Sequence, residues 1–231
     1  MGDLAAFRAA YRASISPRYA PRLHAAFVFA AGLGFATWRV VGLRAGAPAL
    51  LGLVAGLVVF NVGVYAVHRG LGHTKTRLGR AFYRRHTVEH HQFFLAEAMA
   101  YEDLRDLRVV LFPPWLLVVV ALIALGLGAL AAALAGLVLT PATAAAAGDA
   151  LAAGVVLGYL LYELFHLSHH LPDDHPLPRL PWFRHARQLH RLHHRPGLMR
   201  EANFNIVLPL TDLVLGTLRW EPIEPPPSRD T

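Results

Sequence analysis

The stretch GDALAAGVVLGYLLYELFHL, residues 148 to 167, is almost unbroken in its apolar character and ends beside a histidine. At ~1.5 Å per residue, a helix of this length crosses the ~30 Å of hydrocarbon in a bilayer. Asp149 suits the start of such a helix, where the dipole favours an anion. Past its end the chain turns polar in a specific way. The segment HLSHHLPDDH brings His166, His169, His170 and His175 within ten residues.

Three further apolar runs accompany it. They are HAAFVFAAGLGFATWRVVGL (24–43), PALLGLVAGLVVFNVGVYAVH (48–68) and the run from 109 to 139. In the last, Pro113 and Pro114 should break a helix, which places the membrane helix at about 115–139; a re-entrant hairpin followed by a short helix is the alternative. Four crossings leave both chain ends and the segment 69–108 on one side. That side carries nearly all the arginine: positions 8, 12, 18 and 22, those of 69–108, and those from 179 onward. Excess positive charge marks the cytoplasmic face. The fold expected is therefore an all-α integral membrane protein, with transmembrane helices at about 24–43, 48–68, 115–139 and 148–167 and a cytoplasmic helical cap. Residues 1–23, with Leu4, Phe7 and Tyr11 at helical spacing, read as an interfacial amphipathic segment. Residues 24–217 form the membrane domain, and 218–231, rich in proline and acid, a flexible tail.

Composition agrees with a membrane location. Of 231 residues, 55% are hydrophobic, 16% are charged and none is cysteine. Without cysteine there is no disulfide framework, zinc ribbon, iron–sulfur cluster or thiol nucleophile. The net charge of +7 would suit nucleic acid in a soluble protein. Here the arginines flank apolar runs without aromatic interleaving, so no nucleic-acid partner is expected.

All but one of the 14 histidines fall in four clusters: HRGLGH, HTVEHH, HLSHHLPDDH and HARQLHRLHH. Each lies at or beyond the cytoplasmic end of a span, so the four can meet. On a helix, positions i, i+3 and i+4 share a face, which lets His190, His193 and His194 point at one region, and likewise His166 with His169 or His170. His86 and His90 are an i, i+4 pair, whereas five residues of regular helix put His91 roughly 140° from His86. His68 and His73 are also five apart; Gly70 and Gly72 suggest that the helix ends between them and His73 folds back. Buried imidazoles without partners cost on the order of 1 to 3 kcal/mol each, and a metal removes that cost. So many imidazoles exceed the coordination of one ion, which implies two. Few acids lie within the clusters. Glu163, three residues before His166, is placed to accept an imidazole N–H, or is simply a polar residue at a helix end.

The sequence resembles the fatty acid hydroxylase and sterol desaturase superfamily. The resemblance rests on HRxxxH after the second helix, HxxxHH, YxxxHxxxH at the end of the fourth helix and a final HxxHH, supported by NFNIVLPLTDLVLGT at 203–217. It implies a histidine-ligated dimetal centre of two iron ions, with zinc able to replace them in purified protein. The implied ligands are His68, His73, His86, His90, His91, His166, His170, His190, His193 and His194. His86 departs from the common HxxHH box by one residue, His169 lies off the H-x-x-x-H pair, and His24, His175 and His185 read as structural or surface residues. The implied chemistry is O₂-dependent hydroxylation, or desaturation, of a fatty acyl or related lipid held in an apolar channel, because no ordinary side chain attacks an alkane. A separate electron-donor protein is implied, for which the arginine-rich face offers a dock. The alternatives are a carotenoid hydroxylase of similar chemistry and a histidine-rich metal-binding or transport protein. Transporters place ligands near the bilayer midplane, and here Asn61 is the conspicuous polar group in mid-span. The alanine, glycine and arginine bias suggests a bacterial inner membrane.

Overall fold

The computed structural model describes residues 4–43 and 46–221. Residues 1–3 of the expected interfacial segment, residues 44–45 and residues 222–231 of the expected tail lie outside the described residues. Within them the chain is all-helical, and four helices are long and apolar enough to cross a membrane. We number the main helices α1 (Leu4–Ser14), α2 (Pro21–Val40), α3 (Ala47–Val67), α4 (Pro114–Ala135), α5 (Pro141–His169) and α6 (Pro181–His193).

The run from 109 to 139 is crossed by one helix, α4, which Pro113 and Pro114 start and Gly136 ends. α5 begins seven residues before the start expected at Gly148. Pro141 occupies its first turn, the Thr140 hydroxyl accepts the Thr143 N–H, and alanines carry the helix onward. Asp149 consequently lies inside α5, where it pairs with Arg39 of α2.

α5 is the central helix. It packs against α2, α3 and α4 and is largely buried, while the other three turn Val, Leu, Ile and Trp side chains outward. Small residues permit this closeness. A β-carbon at Gly56 of α3 would run into the Leu151 carbonyl of α5, and one at Gly148 of α5 into the Gly128 carbonyl of α4. Backbones approach in this way where small residues line a helix interface in the bilayer. Val28, Leu117, Val156, Tyr159 and Leu160 fill the core between them.

α3 and α5 end, and α2 and α4 begin, at the same end of the bundle. The segments 68–112 and 170–221 therefore form one cap there. α1 joins it: Phe7 and Tyr11 pack on Phe93 and Phe94, and Arg8 is buried at 5% exposure.

Candidate metal centre

The pairs His68–His73 and His86–His91, each five residues apart, are wound through π-helix. α3 continues into a π turn at His68–Gly72, and a second runs over Arg84–His90, where the His91 N–H donates to the His86 carbonyl. One π turn is an i→i+5 step. It returns His73 to the face of His68 and His91 to the face of His86, which regular helix would not do. The extra residue in HTVEHH is absorbed by this winding, and His86 stays inside the cluster.

The imidazoles divide into two adjoining groups. His68, His73, His86, His91 and His193 form the first; His90, His166, His170 and His190 form the second. His194 completes the second, its Nε2 lying 3.2 Å from His90 Nε2 and 3.0 Å from His190 Nε2. The adjacent pairs His90–His91 and His193–His194 each contribute one ring to each group. α6 thus feeds both groups, where spacing alone pointed its three rings at a single region. The stacked rings of His91 and His194, 4.2 Å apart, join the groups.

All ten rings are at most 4% exposed. Five of them donate Nδ1–H to a backbone carbonyl: His68 to Phe204 (2.6 Å), His90 to Val109 (3.1 Å), His170 to Met99 (2.8 Å), His193 to Ala202 (2.8 Å) and His194 to Phe94 (2.6 Å). A carbonyl only accepts, so the proton is fixed on Nδ1 and the Nε2 of a neutral ring carries a bare lone pair. His90 and His194 then face each other with two lone pairs across 3.2 Å and no proton between them. His86 Nε2 lies 2.7 Å from His68 Nε2 and 3.1 Å from those of His73 and His91, more neighbours than one nitrogen can satisfy. Adding protons is disfavoured. Burial first, then the neighbouring imidazoles, hold His86, His90, His91, His170, His190 and His193 well below their usual range, and burial brings His194 to about 3. Convergent lone pairs on neutral rings fit a metal cation in each group, and imidazole suits iron, zinc, copper or nickel.

A profile of the fatty acid hydroxylase family matches residues 53–217, more than two thirds of the 231 and all ten rings. The chain belongs to the fatty acid hydroxylase family. It is also 29% identical over 170 residues to the dihydroceramide fatty acyl 2-hydroxylase of Arabidopsis thaliana, a match covering 73% of this chain and 61% of the relative. The chain thus spans less than two thirds of that relative's length. No solved structure matches it significantly.

In this fatty acid hydroxylase family member, the carbonyls that orient the rings are themselves tied down. Arg8 donates to the Phe93 carbonyl (3.0 Å), the Ala98 carbonyl (2.8 Å) and Glu102 (2.5 Å), which grips the segment whose Phe94 and Met99 carbonyls anchor His194 and His170. Asn61 of α3 does the same for the other group. Its Nδ2 donates to the Leu208 carbonyl and its Oδ1 accepts from Thr211, while Asn205 donates to its carbonyl. This pins the NFNIVLPLTD segment, where Asn203 takes φ of 58° between the Ala202 and Phe204 carbonyls that anchor His193 and His68. Asp212 accepts the Phe204 and Asn205 N–H groups and locks the turn. Asn61 stood out in sequence as a mid-span polar group; nothing in the sequence marked Arg8.

Glu163 is fully buried but takes no imidazole. It accepts the Tyr159 hydroxyl (2.6 Å) and the Phe112 N–H (3.2 Å), since Tyr159 shares its helix face and Phe112 lies in the extended link before α4, with its N–H free. Glu89 pairs with Arg84 and Arg85. His24 bridges the Tyr19 hydroxyl and the Phe112 carbonyl, His175 accepts the Leu177 N–H, and His185 lies between Trp182 and Trp220. His169, in contrast, is buried with neither ring nitrogen bonded.

Proposed function

We propose that this chain is a membrane-bound, iron-dependent oxygenase that hydroxylates a C–H bond of a fatty acyl lipid. The observation that carries this reading is the pair of adjoining, buried, carboxylate-free imidazole groups at the cap end of α3 and α5. His68, His73, His86, His91 and His193 would hold one iron, and His90, His166, His170, His190 and His194 the other. Bound there, a redox-active metal pair supplies the activation of O₂ and the cleavage of an unactivated C–H bond. Inserting one oxygen atom into the substrate and reducing the other to water takes up two electrons and two protons. Loss of a second hydrogen in place of oxygen transfer would give desaturation; the similar Arabidopsis protein, named as a fatty acyl 2-hydroxylase, favours oxygen transfer.

The protein's own part is position and exclusion. A groove of about 260 Å³ between α3 and α5 is lined by Val54, Val58, Phe60, Val64, Tyr162 and Ile206, among other mostly apolar residues. Val64 and Tyr162 stand one helical turn before His68 and His166, and the Tyr162 ring lies 5.5 Å from that of His166. An acyl chain lying there would meet the ligands at the groove's cap end. The burial of the ten rings keeps bulk water from the reacting carbon.

Electrons would come from a separate donor protein. Arg184, Arg187 and Arg191, with Glu97 and Asp173, line a cavity of about 250 Å³ beside Met99, whose carbonyl anchors His170; Arg187 pairs with Asp173, and the cationic excess that remains supports docking of an acidic donor. The arginine-rich cap would then face the cytoplasm. The test is mass-spectrometric lipidomics on cells with and without the protein, with a His193→Ala, His194→Ala double variant that removes one ligand from each group. One added oxygen in an acyl lipid, absent with the double variant, is expected. An unchanged lipid profile would remove the oxygenase reading.

A further inference from the structure

We infer that His169 is a positioning residue for the second metal, accepting a hydrogen bond from the Nδ1–H of His190. This rests on the reading that the two imidazole groups hold metal ions. His169 is the last residue of α5, 0% exposed, and makes no hydrogen bond through either ring nitrogen. Neither of its ring nitrogens has a hydrogen-bond partner, whereas the Nε2 of each of the ten candidate ligands lies within 3.2 Å of another ring nitrogen, which sets His169 apart from them. The nearest imidazole is His190, at 5.0 Å between ring centres and 35° between planes.

Three candidate ligands, His91, His166 and His190, have a buried Nδ1 without a partner, and His190 is the one whose ring lies against His169. The His190 Nε2 faces His170 (3.2 Å) and His194 (3.0 Å), as a ligand of the second group should, but its Nδ1 is buried without a partner. Five other candidate ligands give this proton to a backbone carbonyl. A metal-bound histidine nearly always donates its second ring N–H, which fixes the tautomer and the ring's orientation. No backbone carbonyl accepts the His190 Nδ1–H, and the polar side chain alongside is His169.

The seam between α5 and α6 sets this pairing. Phe165 stacks on Phe183 at 4.3 Å and 12°. One turn beyond Phe165 is His169, and two turns beyond Phe183 is His190, so the phenyl stack hands over to an imidazole pair on the same seam. With the ring centres 5.0 Å apart, the pairing would require a turn of the His169 ring about Cβ–Cγ. A leucine in this place would fill the seam with no unpaired polar atom; the histidine is of use only if it is given a partner.

The test compares His169→Leu, His169→Gln and His190→Ala in full-length protein loaded anaerobically with iron(II) and then challenged with a chelator. In wild type, two irons per chain are expected. In His169→Leu the saturating content should stay at two, with one iron released about 10- to 100-fold faster and the other unchanged, the factor by which metal affinity falls when such outer partners of a metal-bound histidine are lost. His169→Gln, which keeps an acceptor, should restore most of the slow release, and His190→Ala should hold one iron. Thermal unfolding of metal-free His169→Leu should be no lower than wild type, which separates a role toward metal from one in packing. The proposal is overturned if His169→Leu releases both irons at wild-type rates, if leucine and glutamine behave alike, or if leucine lowers the maximum to one iron, which would make His169 a ligand. Wild-type protein that binds no iron overturns the metal reading beneath it, and this proposal with it.

Discussion

Replacing Arg8 by methionine should weaken one metal site and spare the other, although Arg8 contacts no candidate ligand. The guanidinium makes two charge-assisted bonds to backbone carbonyls, Phe93 and Ala98, and one to Glu102. Hydrogen bonds to charged groups contribute roughly 1.5–3 kcal/mol each, so losing the carbonyl pair removes about 3–6 kcal/mol from this corner of the cap. The Glu102 contact adds little, since that side chain is 59% exposed and its charge is screened by solvent. Methionine keeps the apolar stem, which limits the change to the polar end. The segment that relaxes carries the Phe94 and Met99 carbonyls, and these orient His194 and His170, both of the second group. If only about 1.4 kcal/mol of the loss reaches the ligands, metal affinity there falls tenfold. The assay is metal retention after equilibrium dialysis against graded chelator, resolved into two binding steps. One step weakened at least tenfold with the other unmoved is expected. Equal weakening of both steps, or of neither, would refute the reasoning that runs from Arg8 through the carbonyls to the rings.

The reciprocal change is Asn61→Leu, which frees the 203–217 segment and should weaken the first group through His68 and His193, by a comparable tenfold in the same dialysis. Gly56→Leu should abolish assembly of the bundle, because its side chain has no room against the Leu151 carbonyl; size-exclusion profiles in detergent would show aggregate in place of the wild-type peak. Widening nothing and only shortening the groove, Val54→Trp should shift any product toward shorter acyl chains without changing metal content, as read by lipid mass spectrometry. Acid should destabilise the metal-free protein. His86, His90, His91, His170, His190 and His193 sit well below 6.5 when folded, so below that pH the unfolded chain binds more protons. Stability is then full above about 6.5 and falls as pH drops toward the folded values, by up to ~1.4 kcal/mol per pH unit for each group. Melting temperatures between pH 7.5 and 5.5 should decline steeply, and a flat profile would show that the rings are not buried neutral.

The spans and the histidine clusters were legible because both are local: an apolar run long enough to cross a bilayer, and imidazoles massed at its end. What the sequence could not show was how the rings divide. A five-residue spacing means opposite faces on regular helix and one face on a π turn, and nothing in HRGLGH or HTVEHH distinguishes the two windings. Glu163 was legible as an acid one turn before His166, but its burial was not, and one of its two partners, the Phe112 N–H, lies 51 positions away and is free only because the chain is extended before Pro113. α5 starts early because Thr140 caps it, a signal present in the sequence but masked by the glycine at 148 and the acid beside it. Arg8 resembles any interfacial arginine until the cap is folded around it.

Incubation of the purified, iron-loaded protein with an acyl-lipid substrate, a reductant and isotopically labelled O₂ tests the central claim most directly. One labelled oxygen atom in the lipid product, lost in the His193→Ala, His194→Ala variant, is the expected result. A product whose new oxygen derives from water, or no oxidised lipid from protein holding two irons, would contradict it.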